Sequence, residues 1–405
     1  MTTRNAALRK FAFSAILLAL PFSQAAAQDA SAVAERLKAL SARQGVELAW
    51  TNVTGDASNM VIEGLTAKPA GETEAFAIGN VTLSGIVEEN GGYRVDTTTT
   101  EPISSTTEGV TVELSEIIVK GLNIPVEDSD DPLAAISFYD SVEMASAAFK
   151  MAGKDVFSIS DLSAEISRPV EGEPMNFSGG VASFSADLSG VTDPQPRAWV
   201  DAFGYQTING SYRTTGTWNL ADGRLNVTQN DITVDNAGKF GVKVDIGGYT
   251  LDFIKQLQEV QKKMAAQPAG EQANSAAEME MLGLMQQLSL HGATIRFDDA
   301  SITGKILDFV AQQQGQKRED IVNLAKAGLP FALMQMQMPE LAAAISPAVN
   351  TFLDDPRSIE IKAAPPEPVP FTLLGGAAMA NPNDPGAAAK ALWSMLGVTV
   401  TANQP

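Results

Sequence analysis

The side chains that most often perform chemistry are scarce in this 405-residue chain, which has one histidine, His291, and no cysteine. Metal centres built from several imidazole or thiolate ligands are therefore excluded. A Ser-His-Asp triad would need His291 as its base, yet no G-x-S-x-G segment is present to place a nucleophile. We interpret His291 as a surface or turn residue and expect a protein that has no cofactor and is not an enzyme. An unrecognised hydrolase is the least favoured alternative.

Two groups of carboxylates could also do chemistry. Asp298 and Asp299 are adjacent in a predicted strand, so their side chains point to opposite faces and are better placed to cap the next helix. The acidic segment 127–131 (EDSDD) could supply oxygen ligands to calcium. It lacks the spacing and the glycine of a D-x-D-x-D-G loop, and the sequence alone leaves calcium binding there open.

The first 27 residues have the order of a secretory signal peptide. Arg4, Arg9 and Lys10 precede the apolar run 11–22 (FAFSAILLALPF), and three alanines at 25–27 fit a cleavage site. The run is shorter than the roughly 20 residues that span a bilayer, so we expect no integral membrane segment after cleavage. Without a cysteine the chain cannot be a lipoprotein. The sequence predicts a mature periplasmic protein that begins at Gln28.

The net charge of −20 restricts the partners. Binding to nucleic acid needs clustered lysine and arginine, so we expect no nucleic-acid partner. The same charge is repelled by anionic lipid headgroups, which disfavours electrostatic adsorption to a membrane surface.

The elements that would carry a site repeat a short pattern. Residues 60–65, 81–86, 117–122 and 186–191 read MVIEGL, VTLSGI, IIVKGL and ADLSGV. In the longer copies 76–86 and 112–122, a two-residue interruption precedes a restart of the apolar alternation on the other parity. A β-bulge or sharp coiling there would return the apolar side chains to one face. The repeat predicts long, coiled strands, with Gly85, Gly121 and Gly190 at equivalent bends.

Several segments have apolar residues at helical spacing. An opening helix should contain Val33, Leu37 and Leu40 and end near Gly45, and a second should run from Leu133 to Phe149. Segments 251–264 and 277–289 should form a helical hairpin. Ser301 should cap a further helix, and the helical turns after it should be interrupted by Pro330, Pro339 and Pro347.

Composition changes near residue 250, from rich in Thr, Ser, Val and Gly to rich in Ala, Gln, Met and Leu. We predict an α+β fold in which a long, coiled antiparallel sheet packs against a mainly helical C-terminal part. The predicted organisation is a signal peptide at 1–27, a β-rich repeat domain at 28–249 and a mainly helical domain at 250–405.

The repeat segments, behind a signal sequence in an acidic chain without cysteine, are similar to bacterial envelope proteins of the AsmA-like and YdgA-like kind. The later segments IRFDDASITGKILDFVAQQQG, FLDDPRSIEIKAAPPEPVPF and LGVTVTAN resemble uncharacterised periplasmic proteins of the same sort. The resemblance implies an envelope location and, for AsmA-like members, lipid handling along an apolar groove. This chain departs from the AsmA-like pattern in being short and in lacking a retained N-terminal membrane helix.

We therefore expect a periplasmic, non-enzymatic envelope protein that binds an apolar or amphipathic, lipid-like molecule. The candidate lining residues are the apolar side chains of the repeat strands, Val81, Leu83, Ile86, Val112, Leu114, Ile117 and Val119. Methionines in the second half, such as Met281 and Met334, would suit such a ligand or fill a helical core. The alternative is a structural or partner-binding envelope protein whose own helices fill the apolar face.

Overall fold

The computed structural model describes residues 30–43, 45–56, 58–89, 91–125, 138–170, 172–266, 279–374 and 385–405. Strands account for 47% of the structure and helices for 31%, so the chain is mostly β. Each pairing between described strands is antiparallel. The predicted signal peptide at 1–27 and the acidic segment 127–131 lie outside the described residues.

Two compact units divide the chain. The first takes Met1–Val170 and Phe177–Leu188, and the second takes Glu171–Asn176 and Ser189–Pro405. No helix within the described ranges is both long enough and apolar enough to cross a membrane.

Within the ranges that the structure describes, the first unit contains a sheet and one helix. Its elements are α1 (Ala30–Arg43), β1 (Val46–Ala49), β2 (Asn52–Asp56), β3 (Asn59–Pro69), β4 (Phe76–Glu89), β5 (Gly92–Thr100), β6 (Ile103–Thr107), β7 (Val110–Leu114), β8 (Ile117–Ile124), β9 (Ser141–Met151), β10 (Lys154–Ile166) and β11 (Met175–Asp187). The strands pair in the order β3–β4–β5–β8–β9–β10–β11. Strands β1 and β2 both pair with β3, while β7 pairs with β9 and β6 with β7.

Glycines with positive φ keep the buried side chains of the long strands on one face. The buried residues of β4 are spaced by three, two and three positions: Ile78, Val81, Leu83 and Ile86. A regular strand would bury every second residue. Each three-residue step contains a glycine, Gly79 with φ of +90° and Gly85 with φ of +64°. Glycine adopts this conformation without the strain that other residues incur, so each glycine shifts the alternation by one position.

The same feature recurs in β3 and β8. Gly64 and Gly121 have φ of +63° and +64°, and the buried residues on either side of each are three positions apart. At Gly64 the register of β3 against β4 also shifts, as at a β-bulge. The predicted change of phase is confirmed at the interruption 79–80. At the interruption 115–116 the chain instead leaves β7 and begins β8, so this copy is two strands. The predicted bends are confirmed at Gly85 and Gly121 and wrong at Gly190, which follows the end of β11 and does not have a positive φ.

Two of these glycines leave room for carboxylates on the other face of the sheet. The register places Gly85 and Gly121 on either side of Asp96, which lies on the strand between them. A Cβ atom at Gly85 would lie 2.5 Å from Oδ2 and 2.8 Å from Cβ of Asp96. A Cβ atom at Gly121 would collide with Oδ2 of Asp140. The bend and the close approach thus require glycine at the same positions.

Asp140 joins three strands through two arginines. Arg94 on β5 donates a hydrogen bond of 2.7 Å to its Oδ2, and Arg168, just after β10, donates bonds of 3.1 and 3.0 Å to its two carboxylate oxygens. Burial acts to raise the pKa of Asp140, but the hydrogen bonds from Arg168 and Arg94 outweigh it and hold this pKa below its usual value. The Asp140 carboxylate therefore links β5, the start of β9 and the end of β10 through ion pairs.

Helix α1 packs on the apolar face of the first unit. Val33 and Ala34 are fully buried in the strand core, and Leu37 and Leu40 pack half-buried against the same cluster. The helix ends at Arg43, before Gly45 with φ of +80°. The predicted opening helix is confirmed.

The predicted helix from Leu133 to Phe149 is wrong over the residues that the structure describes there. Residues 133–137 lie outside them, and 141–151 form strand β9. Val142, Met144 and Ala147 are buried because β9 pairs with β8 and β7 on one side and with β10 on the other. The alanines and apolar spacing favour a helix locally, and this sheet pairing overrides that preference.

The second unit combines strands with several helices. Its elements are α2 (Pro194–Phe203), β12 (Thr207–Asn219), β13 (Arg224–Val234), β14 (Gly238–Gly247), α3 (Leu251–Ala266), β15 (Ser289–Asp299), α4 (Ile302–Gln314), α5 (Arg318–Gln335), α6 (Pro339–Asp354), β16 (Ser358–Ala363), β17 (Val369–Pro370), α7 (Pro385–Leu396) and β18 (Thr399–Ala402). Residues 279–285 and 371–374 are also helical. The strands pair in the order β12–β13–β14–β15–β16–β18, and β17 pairs with β15 beside β16.

The predicted mainly helical C-terminal part, packed against a separate sheet, is wrong. The composition change near residue 250 falls inside the second unit, directly after β14, and the antiparallel sheet continues through β15, β16 and β18. Strands β16 and β18 have only six and four residues. Such short strands between alanine-rich helices leave little trace in composition.

Details of the helices also differ from expectation. Pro330 and Pro347 lie inside α5 and α6, and only Pro339 marks a helix start. The hairpin is confirmed, because Phe253 and Val260 of α3 share a buried cluster with Leu284, although the second helix ends at 285 and β15 begins at Ser289.

Replacing Gly85 by alanine should separate backbone strain from the close approach to Asp96. Gly85→Ala adds strain at positive φ, about 1–2 kcal/mol, and also a clash with Asp96. The matched control is Gly109→Ala, whose φ is +80° but whose added Cβ has nothing within 4 Å. Urea denaturation followed by circular dichroism should show Gly85→Ala less stable than the control by about 1 kcal/mol or more. Equal losses would contradict the packing role.

Asp140→Asn should remove a pH-dependent contribution to the free energy of unfolding. Because the pKa of Asp140 is lowered in the folded state, its stabilisation is present above the unfolded pKa of about 3.9 and is lost as pH falls through the folded pKa. The stability difference between wild type and Asp140→Asn should thus shrink from about pH 6 to about pH 3. A difference that does not change with pH would refute this role.

Candidate functional site

The seven candidate lining residues all lie in the core of the first unit. Val81, Leu83 and Ile86 on β4, Val112 and Leu114 on β7, and Ile117 and Val119 on β8 are between 0 and 7% exposed. They belong to one cluster of buried side chains. The structure therefore brings them together, as the repeat predicts, but among side chains of the protein itself.

Helix α1 contributes to the covering of this core. Its Ala30, Val33 and Ala34 belong to the same buried cluster. The hairpin of α3 and residues 279–285 instead has its own cluster in the second unit.

The sheet of the second unit has one apolar and one polar face. Paired residues on adjacent antiparallel strands point to the same side. One row runs Tyr212, Ile232, Phe240, Phe297, Ile359 and Ala402 across β12 to β18. The next row on that side is Val242, Ile295, Ile361 and Val400. The apolar face is thus continuous over at least four strands.

Helix α6 covers one part of this face. Phe352 of α6 is buried against Phe297, Ile359 and Val400, and its ring centroid lies 6.4 Å from that of Phe297. The β18 end of the apolar face is therefore closed by a helix.

The start of α3 lies at another part of the sheet. The indole Nε1 of Trp218 on β12 donates a hydrogen bond of 2.8 Å to the carbonyl oxygen of Tyr249. The ring of Tyr249 in turn packs on Phe253 of α3, 5.5 Å between centroids. Helices α6 and α3 therefore lie at different parts of the sheet.

Between these regions the apolar face stays open to solvent. Five large side chains on it are 36 to 45% exposed: Tyr212, Ile232, Phe240, Ile295 and Ile361. We call these five residues the apolar strip. Monomeric soluble proteins rarely expose large contiguous apolar patches, and such patches mark interaction surfaces or ligand grooves.

The opposite face of the same sheet is a network of ion pairs. Arg296 contacts Asp298 at 2.8 Å and Glu360 at 3.5 Å, and Lys239 contacts Asp298 at 3.5 Å and Asp231 at 3.9 Å. The hydrogen bond to Asp298 raises the pKa of Arg296 above its usual range. A concave polar pocket of about 640 Å³ lies over this network. Five residues of its lining, Asp231, Lys239, Arg296, Asp298 and Glu360, form these ion pairs, and Lys243 lines the pocket as well.

The other residues that could do chemistry make contacts that stabilise the fold. His291 lies on β15 with Nε2 3.3 Å from Oγ of Ser289. Asp298 forms the ion pairs above, whereas Asp299 Oδ1 accepts a hydrogen bond of 2.8 Å from the backbone N–H of Thr303 and caps α4 as predicted. Ser301 makes no capping bond, and its hydroxyl donates instead to the carbonyl oxygen of Asn236.

The methionines divide between packing and exposure. Met281 and Met285 pack against the buried cluster of α3, whereas Met279, Met334 and Met336 are exposed. The apolar strip itself was missed by sequence reasoning. A usable indication exists, since KFGVKVDI, TIRF and IEIK alternate apolar and polar residues, but alternation does not reveal which apolar faces the helices leave uncovered.

Replacing Leu83 by glutamate tests whether the core of the first unit is sealed. Leu83 is 1% exposed, so its carboxylate would have to be desolvated or protonated, which costs several kcal/mol. We expect Leu83→Glu to abolish the cooperative thermal transition of the first unit. The matched control is Val87→Glu on the same strand, at a position 53% exposed, which should keep it. A Leu83→Glu protein that unfolds like wild type would instead favour a water-accessible groove.

Comparison with known proteins adds one match. Residues 231–403 match a family model whose description is "Uncharacterized protein". The matched segment runs from within β13 to β18 and so lies in the second unit, which carries the apolar strip. No curated protein matches this chain.

Proposed function

We propose that this protein is a periplasmic, non-enzymatic envelope protein that binds an apolar or amphipathic, lipid-like molecule on the apolar strip of its second unit. The observation that carries the proposal is the strip itself, five large apolar side chains that are 36 to 45% exposed on one sheet face. Single exposed apolar residues need no explanation, but residues adjacent in register form a surface that water solvates poorly.

Removal of the apolar strip from water would favour the binding of an apolar molecule. Transfer of apolar area out of water contributes about 25 cal/mol per Å², and aromatic side chains such as Phe240 and Tyr212 offer large contact areas. An acyl chain or ring system laid on the strip would bury area on both partners.

The charge of the chain favours a single molecule over a bilayer as the occupant. A net charge of −20 opposes approach to anionic headgroups. A monomeric amphipathic molecule in the periplasm does not impose this repulsion over a whole surface. The periplasmic location rests on the signal-like order of residues 1–27.

The alternative function is a structural or partner-binding envelope protein. The first unit favours it, because the seven residues proposed there as a ligand lining are buried among the protein's own side chains. Under this alternative the apolar strip would contact a protein.

Charged substitutions in the apolar strip should weaken ligand binding without unfolding the protein. In Phe240→Asp and Ile295→Asp the new carboxylate would have to be desolvated under an apolar ligand. We expect each variant to bind the fluorescent fatty acid cis-parinaric acid at least about tenfold more weakly than wild type, a difference of about 1.4 kcal/mol. Both positions are close to half exposed, so the thermal transition should persist.

The matched control is Val87→Asp, at an exposed apolar position of the first unit. It adds the same charge and should leave probe binding unchanged. Wild type that does not bind the probe, or strip variants that bind as tightly as wild type, would refute the proposal.

A further inference from the structure

Three polar residues form a row in the second unit, on the face of the sheet opposite to the apolar strip. The register pairs Lys243 on β14 with Thr294 on β15, and Thr294 with Lys362 on β16. Strand spacing of about 4.8 Å places the two lysine Cα atoms about 10 Å apart. The long side chains of both lysines can therefore reach one point above the hydroxyl of Thr294.

Both lysines lack an ion-pair partner, unlike the other cations in the middle of this face. In the part of the chain that the structure describes, neither ammonium group has a carboxylate within 4.0 Å or a hydrogen-bond acceptor. Arg296 and Lys239 pair with carboxylates of the same face. Both residues are exposed, and in a chain with 48 acidic and 28 basic residues two neighbouring unpaired ammonium groups repel each other.

Two acidic residues on the strands of these lysines are already paired with arginines. Asp245 lines the same pocket, but Arg224 donates hydrogen bonds of 2.5 and 2.7 Å to its two oxygens. Glu360 is held by Arg296 at 3.5 Å. These two carboxylates therefore pair with arginines and not with Lys243 or Lys362.

A concave pocket lies at the two lysines. It has a volume of about 230 Å³, and its lining includes Lys243, Thr294 and Lys362 with Asn226 and His291. The amide of Asn226 and the imidazole of His291 add further hydrogen-bond donors to the three residues of the row. The pocket thus combines unpaired positive charge with neutral donors.

We propose that Lys243, Thr294 and Lys362 bind a phosphate group, either free or as the ester of a small polar molecule. Lysine ammonium groups act as compact charges toward phosphate oxygens, and a threonine hydroxyl between them donates a hydrogen bond. The site lies on the opposite face from the apolar strip, because successive strand residues alternate sides. It is therefore independent of the function proposed for the strip.

Isothermal titration calorimetry of the full chain at low ionic strength tests this site with two probes, inorganic phosphate and glycerol 3-phosphate. Wild type should bind at least one of them. Lys243→Gln and Lys362→Gln should each weaken binding about tenfold or more, as expected for loss of a charge-assisted hydrogen bond. Equal affinity for both probes would mean that the phosphate group alone is recognised. Tighter binding of glycerol 3-phosphate would mean that an ester is the ligand.

Lys154→Gln is the matched control. Lys154 is an exposed lysine on β10 of the first unit and, among the described residues, has no ion pair. The control changes the net charge by the same amount and should keep the wild-type affinity. The proposal is overturned if wild type releases no binding heat with either probe, or if Lys154→Gln weakens binding as much as Lys362→Gln.

Discussion

An antiparallel sheet whose strands alternate apolar and polar residues has one face that water solvates poorly and that must be covered. The rest of this structure depends on how that requirement is met in each unit. In the first unit the apolar faces of the strands and α1 share one buried cluster. In the second unit the helices cover parts of the sheet and leave Ile232, Phe240 and Ile295 between 42 and 45% exposed. This difference locates the proposed binding surface.

Glycine makes the closed core of the first unit possible. In a long, coiled strand, strict alternation would not keep all apolar side chains on the buried face. Gly64, Gly85 and Gly121 shift the alternation by one position through a positive φ and so keep the apolar side chains on that face. The same absence of a side chain leaves room for Asp96 and Asp140 on the polar face. Glycine therefore has two effects. It shifts the alternation of buried residues on the apolar face, and it leaves space for carboxylates on the polar face. The apolar pattern of the repeat strands, which suggested a ligand groove, therefore belongs to the packed core of the first unit.

The sequence was most informative where a pattern depends on local geometry. The bends at Gly85 and Gly121, the helix around Val33 and the cap from Asp299 were all predictable, because each is determined by a few adjacent residues. Strand β9 was not, since SVEMASAAFKM has helix-favouring alanines and becomes a strand through pairing with distant segments. Strands β16 and β18 were not predicted because they are too short to show a clear alternation.

The candidate sites show the same limit. Sequence patterns identified Leu83 and Val119 as members of one apolar face, which is correct, but not whether that face is covered. The exposure of Phe240 and the register of Lys243 with Lys362 through Thr294 follow from tertiary pairing. Neither can be read from periodicity, because alternating segments look alike whether a helix lies over them or not.

Mass spectrometry of the molecules that co-purify with the native protein tests the central claim most directly. The protein should be purified without detergent, extracted with organic solvent, and compared with the Phe240→Asp variant prepared in the same way. The proposed function predicts an apolar or amphipathic molecule in near-stoichiometric amount with wild type and its depletion from the variant. A folded wild-type protein that carries no such molecule, or a variant that carries as much as wild type, would contradict ligand binding on the apolar strip.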